Sequence, residues 1–508
     1  MPKKYINILI IIFSVVSFIL LAISQLFWPY DLDHGIFATI ADVILGGGVL
    51  YRDTWELKGP AVYYIFALVN WMFNREESSI RIFDLLIVII GLFYFYKILR
   101  RSVEFDRTIA VMVTSLFGSI CFYSVPNSAQ PDGWISIFMV IIYYHLLKDE
   151  NNFRIIYAII IGILIGIIGL LKPPYLIYSI LPLAYIFTSS GQIRKKFNFI
   201  FTIALVSFTI IYAAAIYFWY KGALWDLIDN IFIYNWNFHR GGIYSIKVVI
   251  HAIINDSFYQ NTFVILFISI IGFVHLLRKY RKESLLLGIW VVLTFIILYF
   301  QIRLSGSAYK NILVSTIILL YFYYSLIELK KVINYKNTLL LCFLILSFTY
   351  YQRYNDYIIP TFILYNEQIS EKEYRDIVQT RKDKYVVEVA DYLREINQNK
   401  EPVFVFGISS IINFLTDSPT ASKYSYILPF IESSGEYFDR ASYELLYELN
   451  KTPPKYFVLS GVIFDINKEN TKEVDPLLRI NGIKYFLEKN YTLKNVIKGY
   501  FIYVRKSE

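Results

Sequence analysis

Cysteine is almost absent from the chain: Cys121 and Cys342 are the only two in 508 residues, and both lie inside apolar stretches. They allow no disulfide framework and no zinc site, and read as two small core side chains. The five histidines are scattered, with no HExxH or other ligand spacing. Charge is scarce too, at 18% of residues. Soluble domains carry about a quarter, so an ordinary globular enzyme is excluded. No P-loop or GxGxxG occurs, so no nucleotide site is indicated. The formal net charge of +9 would suit a nucleic-acid partner. The cations, however, stand in short clusters between apolar blocks, as positive-inside loops do, and no nucleic acid is expected.

What fills the sequence instead is apolar and aromatic: 56% hydrophobic residues, with 45 Tyr and 41 Phe. They gather in blocks of about 15–20, the length a helix needs to cross the hydrocarbon of a bilayer. About eleven spans are expected, near 6–27, 82–98, 108–124, 133–148, 155–171, 175–189, 199–219, 261–277, 285–300, 311–327 and 338–352. The first lacks a small-residue cleavage site and runs into Trp28-Pro29-Tyr30, so it reads as a retained anchor rather than a signal peptide. Basic clusters occupy every second loop: Lys3-Lys4, 97–107, Lys148 with Arg154, 194–196, 278–282, and Lys330-Lys331 with Lys336. That alternation predicts a multi-pass protein of the inner or plasma membrane, N-terminus cytoplasmic and C-terminus outside.

The composition changes near residue 353. A transmembrane domain over 1–352 is expected, followed by a small extracytoplasmic α/β domain over 353–508. Within the latter, 403–406, 456–459 and 500–504 read as strands, and 384–396, 409–415 and 437–449 as helices.

The external loop 28–81 is the most informative segment. Asp31 and Asp33 follow the first span directly, where a carboxylate can serve as general base to a hydroxyl or ligate a divalent metal. Asp33 is equally placed to cap a helix beginning near Gly35. An amphipathic stretch covers 36–45, and 61–73 is too short to span comfortably, so it reads as interfacial or re-entrant. Lys58-Gly59-Pro60 offers a point charge for phosphate, or a lysine reaching lipid headgroups. Asp132 edges a short second loop. Arg303 and Lys310 flank Ser305-Gly306-Ser307, and Lys172-Pro173-Pro174 interrupts a hydrophobic hairpin. Cations at such breaks suggest an anion site or headgroup contacts. His34 and His239 read as hydrogen-bonding surface residues.

Taken together, Asp33-His34-Gly35 followed by Gly48-Val49-Leu50-Tyr51-Arg52-Asp53-Thr54-Trp55-Glu56-Leu57-Lys58-Gly59-Pro60 resembles the GT-C superfamily of membrane glycosyltransferases. The likeness is to bacterial family 39-type members, related to protein O-mannosyltransferases and the lipid A aminoarabinose transferase. It is specific over 28–62, and the span pattern extends it to about residue 352. The resemblance implies a GT-C-like helical membrane fold and inverting transfer of a sugar. The donor would be a polyprenyl-phosphate sugar, and the acceptor a hydroxyl of a cell-surface glycan, lipid or protein. By analogy Asp33 is the catalytic base, Lys58 and Arg303 hold the donor phosphate, and Asp132 and Asp31 are supporting acids. The residue after Asp33 is His34 where an acid is usual, and Tyr309-Lys310-Asn311 replaces a Tyr-x-His. A divalent metal is therefore compatible with the loop but unsupported, and no cofactor is named. The competing expectation is a transporter or flippase of lipid-linked sugars. Transporters, though, usually place ionisable groups within helices, whereas here they lie in external loops.

Overall fold

Hydrocarbon offers a peptide group no water to bond with, so an apolar segment must satisfy its backbone within a helix. The computed structural model describes residues 3–122, 124–239, 250–251, 254, 263–279, 281–301, 310, 312–378, 385–460 and 479–506. Helices α1 (Lys3–Gln25), α2 (Leu32–Leu45), α3 (Pro60–Phe73), α4 (Glu77–Arg100), α5 (Arg107–Cys121), α6 (Pro131–Asp149), α7 (Ile155–Leu171), α8 (Ile180–Thr188) and α9 (Ile193–Tyr220) occupy the first half. Helices Phe263–Lys279, Arg281–Gln301, Ile312–Val332 and Tyr335–Arg353 follow. The eleven expected apolar segments fall on these helices, with a 3-10 turn over Pro173–Ser179 leading into α8. Five are long and apolar enough to cross a membrane: Lys4–Gln25, Glu77–Arg100, Ile193–Tyr220, Lys282–Phe300 and Ile312–Val332. Along α9, Phe201, Leu205, Phe208 and Tyr212 are each more than half exposed. A stripe of large apolar side chains at helical spacing is what lipid contact requires. The chain is an integral membrane protein.

Contacts divide the chain into two compact units. One comprises residues 1–28, 77–214 and 241–370; the other comprises 29–76, 215–240 and 371–508. The first unit is the helical bundle. One close helix–helix approach in it is made by Gly162, Gly166 and Gly169 of α7. A Cβ at Gly162 would lie 2.9 Å from both the Ile203 carbonyl oxygen and Val206 Cβ, and one at Gly166 would lie 3.0 Å from Ile210 Cβ. Without a hydrophobic drive between helices in lipid, such small-residue seams are where backbones can come together. Gly162→Leu is expected to destabilise the bundle by about 1–3 kcal/mol, the cost of overpacking a filled interface. Thermal unfolding in detergent would show it as a lowered midpoint; an unchanged midpoint would mean that α7 and α9 do not pack this closely. Cys121 and Cys342 are buried and unbridged in the bundle.

The second unit carries a four-stranded sheet of β1 (Val403–Phe406), β2 (Tyr456–Ser460), β3 (Tyr491–Ile497) and β4 (Tyr500–Arg505), in the order β1-β2-β4-β3. β1 and β2 run parallel and are buried throughout, as the helix-linked crossover between them demands. β3 and β4 form an antiparallel hairpin closed by Lys498-Gly499, both at positive φ, as a two-residue turn with the correct twist requires. Onto this sheet and its helices the same unit folds α2 and α3. Gly35 of α2 faces Ile411 so closely that a Cβ would collide with it. The threonine hydroxyl of Thr39 donates to the Ser410 carbonyl at 2.9 Å. The expected amphipathic face of 36–45 is corrected here: residues 34–41 of α2 are buried on every side, because the C-terminal segment covers what would otherwise be its wet face.

Candidate active site

Helix α2 begins at Leu32, so its N-cap is Asp31 and not Asp33. The Asp31 carboxylate accepts the His34 N–H at 2.9 Å, and the His34 side chain reaches back to the Asp31 backbone, which makes a capping box. His34 is corrected with it. The imidazole is fully buried, with Nδ1 2.6 Å from the Asp31 carboxylate and its ring stacked on Phe66. A short polar side chain at the first turn has orphan N–H groups to serve, and here that task took His34 inward. The side chain of His239 lies outside the described residues.

With Asp31 satisfying the cap, Asp33 projects from the first turn, where the helix dipole favours negative charge. Its carboxylate stands 3.1 Å from the Lys58 ammonium, and both side chains are partly open, at 28% and 16% exposure. The Lys58 ammonium also sits 4.4 Å above the Phe37 ring. The Tyr51-to-Lys58 motif turns out to be the machinery that presents this lysine. Asp53 closes a turn by accepting the Val49 N–H at 2.7 Å, and is held below the usual carboxylate range by the Arg52 guanidinium bonded to it. Tyr51, in the left-handed region at φ 70°, donates its hydroxyl to the Lys58 carbonyl at 2.8 Å. Trp55 is anchored by its backbone N–H to the Lys423 carbonyl at 2.8 Å and its indole N–H to the Tyr437 hydroxyl at 2.8 Å. Asn235 closes the arrangement by donating to the Leu57 carbonyl at 2.8 Å.

Glu56 was not among the expected site residues. It is 2% exposed, and burial pushes its carboxyl above the ordinary range while the Lys58 charge pulls the other way. The phenols of Tyr426 and Tyr63 lie beside it, and Tyr426 feels the Asp33 charge as well. Its only sequence signal was its place two residues before Lys58; Tyr426, far along the chain, had none. Asp33, Glu56, Lys58 and Tyr426 thus form a mixed-charge cluster: an accessible carboxylate, a cation within contact distance, and a buried acid behind it. Such a set can accept a proton from a hydroxyl while offering positive charge to a phosphate. Among the described residues no three His, Cys, Asp or Glu side chains converge on one point.

Asp132 belongs to the helical bundle, fully buried in the first turn of α6, where Lys172 donates at 2.5 Å and the Tyr175 hydroxyl at 2.5 Å. Lys172, read as an anion or headgroup group, is thus paired within the protein, which is how a cation at a helix break avoids its desolvation cost. Arg303 lies outside the described residues, as do 305–307.

Residues 57–220 match the dolichyl-phosphate-mannose-protein mannosyltransferase family, a stretch that includes Lys58 but begins after Asp33. No curated protein matches the sequence. In fold, the chain is similar to ArnT from Cupriavidus metallidurans bound to undecaprenyl phosphate. The TM-score is 0.62 at 10% identity, over 98% of each chain. It is also similar to the oligosaccharyltransferase of Archaeoglobus fulgidus in its apo form, with a TM-score of 0.50 at 13% identity, over 90% of this chain and 70% of that one. The resemblance read from the first loop and the similarity of the whole fold meet in one conclusion: the chain has the fold of the GT-C glycosyltransferases.

Proposed function

We propose that the chain is an inverting glycosyltransferase that moves a sugar from a polyprenyl-phosphate donor to a hydroxyl acceptor on the extracytoplasmic face. The observation that carries this reading is the Asp33 carboxylate 3.1 Å from the Lys58 ammonium. In a single displacement, Asp33 takes the proton of the acceptor hydroxyl as its oxygen bonds to the sugar's anomeric carbon. The bond from that carbon to the phosphate oxygen breaks, and polyprenyl phosphate leaves with the electron pair. Lys58 meets the charge that develops on the leaving phosphate, and preorganised cations are worth most at a low-dielectric membrane edge. Arg303 is assigned as a second cation for that phosphate. Asp31 supports the site by capping α2. Asp132 is assigned as a supporting acid through its Lys172 pair. The basic clusters support eleven crossings with the N-terminus cytoplasmic and residues 353–508 outside.

The test is to incubate membranes containing the protein with a panel of labelled polyprenyl-phosphate sugars. Label is expected to leave the lipid donor for an acceptor, with free polyprenyl phosphate as the other product. Donor moved across vesicle membranes but recovered intact would establish the transporter reading instead.

A further inference from the structure

A hollow in the sheet-bearing unit is not used by this chemistry. It encloses about 800 Å³ between the C-terminal half of α2, the 46–53 turn and the Glu436–Lys451 helix. Asp33 and Asp42 are nine residues apart on α2. That is two and a half turns, so they project from opposite faces about 13 Å apart along the axis. The hollow is therefore distinct from the Asp33–Lys58 pair although one helix serves both.

Its wall mixes charged and hydroxyl side chains with apolar surface, and most of the charges are paired. Among the described residues it presents five carboxylates and four cations. Arg75 bridges Asp42 at 2.5 Å and Asp417 at 2.6 Å. Lys423 meets Glu444 at 2.7 Å, and Arg52 meets Asp53 at 2.8 Å. Glu448 accepts the Ser422 hydroxyl at 2.6 Å and the Lys423 N–H at 3.0 Å. Most of these charges are already held by one another, so little is left over for an ion. What the wall does offer is fixed donors and acceptors beside two rings. Tyr443 and Tyr447 line it 72% and 55% exposed, centroids 6.5 Å apart and planes only 17° apart. The Lys451 ammonium stands over the Tyr447 ring, 5.8 Å from its centroid, and the rest of the two ring surfaces, left to water, favours a ligand with an apolar face. A pyranose has such a face in its axial C–H groups and carries hydroxyls around its rim, which matches both halves of the wall.

We infer that this cleft binds a neutral saccharide, stacked on Tyr443 and Tyr447 with its hydroxyls bonded to the paired side chains around them. If the transferase reading holds, on which this half of the inference rests, that saccharide is part of the acceptor, gripped away from its reacting hydroxyl. The donor sugar must stay with its phosphate at Lys58, on the other side of α2.

The full-length protein in nanodiscs, applied to an array of neutral oligosaccharides built from hexoses, N-acetylhexosamines and pentoses, is expected to retain at least one class. Tyr443→Ala with Tyr447→Ala should weaken that binding about tenfold or more, the worth of lost aromatic stacking. Tyr443→Phe with Tyr447→Phe should keep it, since the ring faces remain. Both positions are exposed, so the thermal midpoint should stay put in either variant and separate lost binding from lost folding. No neutral glycan retained, retention of acidic glycans alone, or binding unmoved by the alanines would overturn the cleft. Glycan binding by a protein that consumes no donor would leave the cleft standing and sink the transferase reading. Donor consumption without tyrosine-dependent binding would do the reverse.

Discussion

Asp33→Asn is expected to lower turnover about 10²–10⁴-fold, the usual worth of a positioned general base. Asn keeps the size of the side chain but cannot take a proton at neutral pH. The variant should fold normally. The helix start depends on Asp31, whose carboxylate caps α2, and not on Asp33. The ion pair lost with Lys58 is partly exposed, and such pairs contribute only about 0–1 kcal/mol. Steady-state turnover of labelled donor, alongside thermal unfolding, checks both halves. Asp31→Asn is the internal control: Asn caps a helix about as well as Asp, so a milder loss is expected. Full turnover in Asp33→Asn with Asp31→Asn inactive would move the base by two residues. Both variants fully active would leave the fold without its proposed base.

Lys58→Ala should act on the donor rather than on proton transfer. A hydrogen bond to a charged group is worth about 1.5–3 kcal/mol, or about 10–150-fold in affinity. If the ammonium holds the phosphate equally before and during transfer, the loss appears as a raised apparent KM for donor with kcat little changed. Lys58→Arg keeps the charge near Phe37 and should recover part of it, though a planar fork on a longer stem does not reproduce a point charge. A fall in kcat at unchanged KM would mean that Lys58 acts only on the departing phosphate. No effect on either constant would remove it from the site.

What the sequence disclosed, it disclosed through periodicity and local chemistry. The apolar blocks announced their helices because a span must be long and continuously apolar. The runs at 403–406, 456–459 and 500–504 looked like strands because they are dense in Val, Phe, Tyr and Ile. Strand β3, by contrast, hides in Thr492-Leu493-Lys494-Asn495: an edge strand with one exposed face needs few apolar residues. At the site, Asp33 and Lys58 were legible because both lie in one loop motif. The cap was misplaced by two residues because Asp31 and Asp33 carry the same chemistry, and only the backbone decides which one precedes the first helical turn. Glu56 and Tyr426 could not be paired in advance, since burial at Glu56 is created by residues hundreds of positions away.

That distance governs how the protein can be made. The loop bearing Asp33 and Lys58 is completed by partners near the end of the chain: Thr39 bonds Ser410 across 371 positions, and Trp55 bonds Tyr437 across 382. At roughly 5–20 residues per second, the ribosome needs about 20–80 s to deliver those partners after the loop itself has emerged. For that interval the buried flank of α2, with Phe37 and Ile40, has nothing of the C-terminal segment to rest on. The finished loop is therefore a late event in biosynthesis, and its order depends on the ribosome reaching the last strands. A chain stopped near residue 370 would retain every apolar helix of the bundle and still lack the surface against which Asp33 is set.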